Sequence, residues 1–417
     1  MFYVERTKPD EKLGCSPCED QTCVDIQSSS VNVTNGNLFD AYEISPDKRL
    51  PVTLSYNSRS TRSSRFGQGW NDSFDIRLIS GYGGSMTLIN PDGREDVFTR
   101  NSDGSFTPPP GIHDTLEGNS TAGYTLHKTG GGTILFNGQG KPLELRDSNG
   151  NSTSYSYAGD LLASVTDPYG NTLTFTHDGN GHVTGFSDAL GRSSSFAYDA
   201  AGNLAEIIDS KGSRRAFSYD GNSNLIERTD PSGGVTRYTY DAEERLISAD
   251  DALGATRTVS YESDSLTVLT DPEGNRTEYA YNEHNDLTRE TSPLGNVTEY
   301  ERDEDRNLIK EIDPEGHATV REYDDAGNPV KTIDPMGNET LTEYAAGSGC
   351  SSCGSGKPTR VTDAQGNVTE YSYDEFGNRN STRDALGNVS SGTYDAKGRL
   401  LAETGPDGAV TRYEYDA

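Results

Sequence analysis

Apolar and polar residues alternate along most of this chain, and glycines punctuate the alternation at a fixed beat. At the fifth and seventh positions after the turn glycine an aromatic usually stands, as in Tyr155 and Tyr157, Phe196 and Tyr198, Phe217 and Tyr219, Tyr238 and Tyr240, Tyr279 and Tyr281, Tyr371 and Tyr373, and Tyr413 and Tyr415. Thr is commonest at the third position, as at Thr236, Thr277 and Thr369. Positions three, five and seven share one face of a β-strand, and no helical period fits the spacing.

The glycine can be followed through Gly150, Gly170, Gly191, Gly212, Gly233, Gly254, Gly274, Gly295, Gly316, Gly337, Gly366, Gly387 and Gly408, in steps of 20 or 21 residues except the 29 between Gly337 and Gly366. It closes phrases such as Asp334-Pro335-Met336-Gly337-Asn338, and a second turn such as Asp199-Ala200-Ala201-Gly202-Asn203 falls halfway between. Asp opens such a turn by bonding its own backbone, and Gly or Asn accepts the positive φ that closes it. Each repeat therefore reads as two strands of about six residues joined by two turns. About 13 repeats make about 26 strands, and at roughly 4.8 Å per strand a flat sheet would exceed about 100 Å. Twist must curl a sheet of that width into a spiral or a large barrel. The expected fold is thus all-β, a continuous spiralling sheet of antiparallel hairpins. A parallel β-helix with a coil of about 21 residues is the alternative, but it favours stacked aliphatics over Tyr-x-Tyr pairs with a turn at every strand.

The front of the chain lacks this period. It holds strand-like runs at 31–42, around the Asn35-Gly36 turn, at 50–56 and at 73–79, and its Gly67-Gln68-Gly69-Trp70 carries the single Trp. The expected organisation is a Cys-containing segment at 1–30, a β-rich domain at 31–123, and repeats at 124–417 with an insertion near 345–358. Degenerate hairpins start before Gly150, around the turn Asn137-Gly138-Gln139-Gly140. The chain stops at Tyr415-Asp416-Ala417, inside a repeat, which reads as part of a longer protein.

Composition narrows the function classes. Of 417 residues only 31% are hydrophobic, and mean hydropathy is -0.76, so the interior is expected to be hollow or wet and lined by the 23 tyrosines. With 66 Asp+Glu against 36 Lys+Arg the net charge is -30. That charge repels phosphate backbones, so no nucleic-acid partner is expected, and it keeps sheet edges soluble. No apolar run is long enough to insert into a membrane, and the first ten residues show no signal-peptide core, so any export signal lies outside this sequence.

The phrase Gly-Asn-x-Thr-x-x-Tyr-x-Tyr-Asp-x-x-Gly-Asn-Leu resembles the RHS, or YD, repeat over about two-thirds of the chain. The resemblance implies a sheet that spirals into a cocoon, which in polymorphic toxins and insecticidal toxin complexes encloses the protein's own C-terminal toxin domain. It also implies export from a bacterium or display on its surface, and in some relatives attachment to surface glycans. Val31-Asn32-Val33-Thr34-Asn35-Gly36-Asn37-Leu38-Phe39, with 50–58 and 67–70, resembles the β-rich domain that precedes such repeats, which implies an end cap.

Chemistry-bearing clusters are few. Cys15, Cys18 and Cys23, with Cys350 and Cys353 in the insertion, have zinc-ligand spacing and equally suit disulfides. His177 occupies an aromatic slot of the repeat, and His182 and His317 occupy Asn slots, so all three are expected to be structural. Asp303-Glu304-Asp305-Arg306-Asn307 lacks the glycine of a calcium loop. No HExxH, GxSxG, GxGxxG or phosphate-binding loop occurs. The residues expected to matter are therefore those of the repeat: Gly170, Gly191, Gly233, Gly274, Gly295, Gly337 and Gly366 at turns, and the Tyr pairs on strands. The expectation is a non-catalytic shell segment enclosing a toxin or effector domain, with a carbohydrate- or protein-binding adhesin module as the alternative.

Overall fold

The turn is the unit from which the molecule is built. At 334–338 the Gly337 N–H bonds the Asp334 carbonyl at 2.9 Å and the Asp334 N–H bonds the Asn338 carbonyl at 3.0 Å. The Asp334 carboxylate meanwhile accepts the backbone N–H groups of Met336 and Asn338 and the Asn338 side-chain amide. Gly337 sits at φ 82, the left-handed region that Asp-x-x-Gly turns require. The same bonding recurs at 199–203, 271–275, 363–367 and 384–388. Ser223, Glu244, Asn285 and Arg306 hold the glycine slot in four turns, at φ 60 to 66.

The structure is a computed structural model that describes residues 22–26, 29–45, 50–129, 131–345 and 356–415. Among these residues a 29-stranded sheet runs from Thr115–Asn119 to Val410–Arg412, with spatial order equal to chain order. Every pairing in it is antiparallel, as between Ser193–Tyr198 and Leu204–Ile208, so the parallel β-helix alternative is excluded. Two smaller sheets precede it, beside the two-stranded pair Ser63–Ser64 and Gly67–Gln68. One has five strands: Cys23–Ile26, Ser29–Asn32, Leu38–Glu43, Thr53–Asn57 and Trp70–Asp72. The other has four: Arg77–Ser80, Met86–Ile89, Glu95–Arg100 and Phe106–Thr107. The strand expected over 73–79 is not continuous. Asp72 caps a turn there, accepting the Phe74 N–H on its carboxylate at 2.7 Å and the Asp75 N–H on its carbonyl at 2.8 Å, and the next strand starts only at Arg77.

Most hairpins closed by the turn after a Tyr-bearing strand carry a bulge beside the seventh-position residue. Ala197 pairs with Glu206 but Tyr198 with Leu204, so Ala205 is the extra residue, and the same shift recurs along the wall. The bulge leaves the carbonyl of the residue after the turn outside the ladder. The next repeat's seventh-position Tyr fills that gap: Tyr219 Oη donates to the Leu204 carbonyl at 2.7 Å, Tyr240 to Leu225 at 2.9 Å and Tyr373 to Pro358 at 2.7 Å. The fifth position faces the interior without that partner, and Phe175, Phe196 and Phe217 stand there.

The sheet coils until its two rims meet. One rim holds the turns that follow the Tyr-bearing strands, such as 199–203 and 395–399, and the other holds turns such as 147–151 and 167–171. Asn378 donates its amide to Asn149 Oδ1 at 2.6 Å, and Asn151 donates to the Lys397 carbonyl at 2.9 Å. Lys397 Nζ reaches the Pro168 carbonyl at 3.4 Å and lies 4.2 Å from the Tyr169 ring centroid. Partners 229 residues apart thus sit one coil above the other.

The front segment packs inside the first coil. A single core joins Val31, Leu38, Leu54, Phe66 and Trp70 to the inner residues Tyr155, Phe175, Phe196, Phe217 and Tyr238 of the wall. Contrary to the expectation of a hollow interior throughout, this part of the coil is filled.

Candidate functional site

The inner face of the wall is the candidate functional surface, and it divides into a covered and an open half. In the strand Val235–Tyr240 the inner residues Thr236 and Tyr238 are buried. In Val297–Arg302, Val368–Tyr373 and Val389–Tyr394 no residue is buried, and the fifth-position Tyr300 and Tyr371 are only partly covered. The same repeat thus produces a packed core where the front segment lies against it and a lined, partly exposed surface where no described residue of that segment does.

The covered half is secured by backbone as well as by side chains. The residues after three of the bulged turns give their N–H to the front segment: Val183 to the Arg65 carbonyl at 2.8 Å, Leu225 to Tyr56 Oη at 2.9 Å and Leu246 to the Gly36 carbonyl at 3.0 Å. Thr267 Oγ1 adds a bond to the Val33 carbonyl at 2.6 Å. Trp70 lies among Tyr42, Tyr56 and Phe217 with ring centroids 5.1 to 5.9 Å away, and its Nε1–H donates to Tyr219 Oη at 2.8 Å.

At the centre of this interface is a buried ion pair. Arg228, on the inner face, meets the Asp40 carboxylate at 2.6 Å and Ser29 Oγ at 3.1 Å, and its other amino group donates to Thr236 Oγ1 at 3.2 Å. Tyr42 Oη also donates to Asp40, and the hydroxyls of Ser29 and Tyr238 bond each other at 2.7 Å. Burial pushes the Asp40 carboxyl above the usual carboxylate range, and Arg228 opposes that shift. A second pair, Arg65 bidentate on Asp72 at 2.6 Å, knits the front segment internally.

The sequence singled out some of these residues and missed others. Tyr198, Tyr219, Tyr240, Tyr373 and Tyr415 all make the hydroxyl-to-carbonyl bond, while Tyr238, Tyr279, Tyr371 and Tyr413 stand at the fifth position. Tyr281 instead bonds Thr267 Oγ1 at 3.2 Å. Gly170, Gly191, Gly233, Gly274, Gly295, Gly337 and Gly366 all sit at φ 77 to 89. Arg228 and Asp40 were missed, although a signal existed: Arg228 stands where neighbouring repeats place Phe186, Ile207 and Ala249.

Of the five cysteines, Cys23 is disulfide-bonded, which is one of the two roles that the spacing allows. Cys15, Cys18, Cys350 and Cys353 lie outside the described residues. The described residues hold one cluster of metal-ligand type, Asp313, Glu315 and His317, with donor atoms within 4.8 Å of one another. The Asp313 and His317 atoms are engaged by the turn itself: Asp313 Oδ1 accepts the backbone N–H groups of Glu315 and His317, and Oδ2 faces His317 Nδ1 at 3.1 Å. His317 thus does what Asn does in other repeats, as does His182 with Asp178. No helix among the described residues is long and apolar enough to cross a membrane.

Family comparison agrees with this geometry. The family described as RHS Repeat matches residues 136–172, 177–214, 219–256, 263–297, 281–319, 354–389 and 394–417, more than half of the chain. The chain belongs to the RHS repeat family. A second family, described as Domain of unknown function (DUF6531), matches 28–98, the part of this RHS chain that carries four strands of the five-stranded sheet. The chain is 35% identical over 140 residues to the tRNA3(Ser)-specific nuclease WapA of Bacillus spizizenii, a match covering 32% of this chain and 6% of that protein. It is 34% identical over 140 residues to the tRNA nuclease WapA of Bacillus subtilis, again 32% of this chain and 6% of the relative. Among solved structures, the Photorhabdus luminescens Tc holotoxin pore aligns over 88% of this chain and 22% of its own at 14% identity and TM-score 0.47. The complex TcdB2-TccC3-Cdc42 aligns over 88% and 23% at TM-score 0.45.

Proposed function

We propose that this RHS chain is a non-catalytic wall segment of an exported bacterial shell, and that the open half of its inner face surrounds the protein's own C-terminal toxin or effector domain. The observation that carries the reading is the change in burial along one unchanging repeat: inner positions buried against the front segment give way to partly exposed ones from Tyr300 onward. A wall that invests a regular, lined surface in facing its own interior is built to surround something. The 31–123 region serves in this reading as the cap, closing the interior where the coil begins, and 124–417 as the wall.

The nuclease activity named for the WapA proteins belongs to proteins of which this chain matches 6%, and it is not carried over. A glycan-binding adhesin is the second reading. It has less support, because the seventh-position hydroxyls are engaged on backbone carbonyls and the Tyr rows face inward. Electron microscopy of the longer natural polypeptide tests the proposal. Density inside the open half beyond that of the wall is the expected result; an empty or fully solid body with its effector domain outside would refute enclosure.

A further inference from the structure

One row of inner positions is matched residue by residue to what packs on it. The row consists of the residues that pair with the fifth positions, as Phe186 pairs with Phe175, Ile207 with Phe196 and Arg228 with Phe217. Phe186, Ile207 and Ala249 belong to the core that the wall shares with the front segment. Arg228 breaks that apolar run, and the front segment answers it with the Asp40 carboxylate at 2.6 Å. Apolar side chains thus meet apolar ones along the covered half, and the one cation meets an anion.

The row continues into the open half as Glu290 opposite Tyr279 and Glu311 opposite Tyr300. Glu311 has a cation from the wall itself. Arg321 stands at the fifth position of the next repeat, where an aromatic is usual, and its guanidinium lies 3.8 Å from that carboxylate. Glu290 has no such partner: among the described residues its carboxylate makes no hydrogen bond and no ion pair, and burial alone raises it above the ordinary range. Pairing sets Tyr279 directly across from Glu290 on one side and Thr298 on the other, with Tyr300 diagonal to it on the same face. A half-buried carboxylate without a counter-ion is unfavourable, and a cation that reaches it recovers that cost while the flanking rings offer it a face.

We propose that Glu290, framed by Tyr279 and Tyr300, seats a cationic side chain of the enclosed domain, as Arg228 seats Asp40 of the front segment. The inference rests on the enclosure reading above and deepens it by fixing the sign of charge that the enclosed domain turns to a named point of the wall. Arginine fits best, because its planar guanidinium pairs with a carboxylate and stacks on a tyrosine ring. An anionic face would be repelled, since the row carries Glu290, Glu311 and Glu403 in this half. A divalent ion needs several oxygen ligands, whereas Glu290 offers one carboxylate between two phenols that burial and the Glu290 charge keep protonated.

The test uses the longer natural polypeptide with a photoreactive phenylalanine analogue in place of Thr298, beside Glu290, and reads the crosslinked peptides by mass spectrometry. The expected result is a link to a segment of the enclosed domain that holds an arginine or lysine. Glu290→Arg should cut the yield of that link at least about fivefold, and changing the linked basic residue to glutamate in the same variant should restore it. Should Glu290→Arg not fold, Glu290→Gln decides, since it keeps the size of the side chain; it should lose at least about threefold, while Glu299→Gln on the outer face loses nothing. Yields indifferent to Glu290, or a link to a segment without a basic residue, would overturn the inference while leaving enclosure intact. A link from position 298 to residues 1–30 would give the seat to the front of this chain and overturn it as well. No link to the domain would also overturn it, and together with an empty interior in microscopy would remove the enclosure reading too.

Discussion

Arg228 on the inner face of the wall and Asp40 in the front segment, 188 residues apart, form a buried ion pair at 2.6 Å. Taking either partner away leaves the other charged and without its counter-ion, which typically costs about 3–5 kcal/mol. Arg228→Ala and Asp40→Ala should each lower stability by an amount in this range in urea unfolding. The Arg228→Leu/Asp40→Leu double variant should lose less than the sum of its parts. Additive losses would show that the pair does not register the cap on the wall.

The seventh-position hydroxyl predicts a graded series. Tyr240→Phe removes a bond to the Leu225 carbonyl and leaves that oxygen without its partner, a loss of about 1–3 kcal/mol where the site is buried. Tyr394→Phe removes the same bond, to the Arg379 carbonyl at 2.8 Å, at a solvent-exposed position, and should cost less than about 1 kcal/mol. Chemical denaturation of the two variants measures the difference; equal effects would mean that the hydroxyl bond is incidental.

Glu244 holds φ 62 in a turn slot that glycine fills elsewhere. A side chain in that region costs roughly 1–2 kcal/mol, so Glu244→Gly should stabilise the protein by about 0.5–1 kcal/mol after the added chain entropy is subtracted. Gly254→Ala, at φ 83 in open space, should destabilise for the same backbone reason and without any clash. Thermal unfolding of both variants reads the opposite signs.

Acid should weaken the wall. Hydrogen bonds from Asn338 and from backbone N–H groups hold the Asp334 carboxyl below its ordinary range, and Asp271, Asp363 and Asp384 are lowered in the same manner. A carboxyl with a depressed folded pKa stabilises fully above the unfolded value, near 3.9, and that contribution fades as pH falls through the lower folded value. Asp40, Asp75 and Asp96 are raised by burial and act in the opposite sense at higher pH. The urea midpoint should therefore drop between about pH 4 and pH 2, and less so in an Asp334→Ala/Asp363→Ala variant, although that variant is already weaker at neutral pH. A midpoint unchanged across that interval would contradict the turn account.

Most of the wall was legible because the repeat states its physics locally. Asp, Gly and Asn at each turn and Tyr at the seventh position all bond within about fifteen residues, so Tyr219 and Leu204 could be placed in adjacent strands from sequence alone. What was not legible depends on contacts across the interior. Nothing local says that Leu225 gives its N–H to Tyr56, or that the front segment fills the first coil. One hint was present in the letters: Arg228 interrupts the apolar register that Phe186, Ile207 and Ala249 keep in neighbouring repeats. The strand predicted across 73–79 failed because Asp72, a turn-former, outweighs the alternating pattern around it.

The central claim is that the sheet coils until opposite rims, 229 residues apart, touch. A photoreactive phenylalanine analogue placed at Tyr169 tests it most directly, with the crosslinked peptides read by mass spectrometry. The account predicts an intramolecular link to the 395–399 turn, around Lys397 and Arg399. Links confined to neighbouring hairpins of the same coil, with none to that turn, would contradict it.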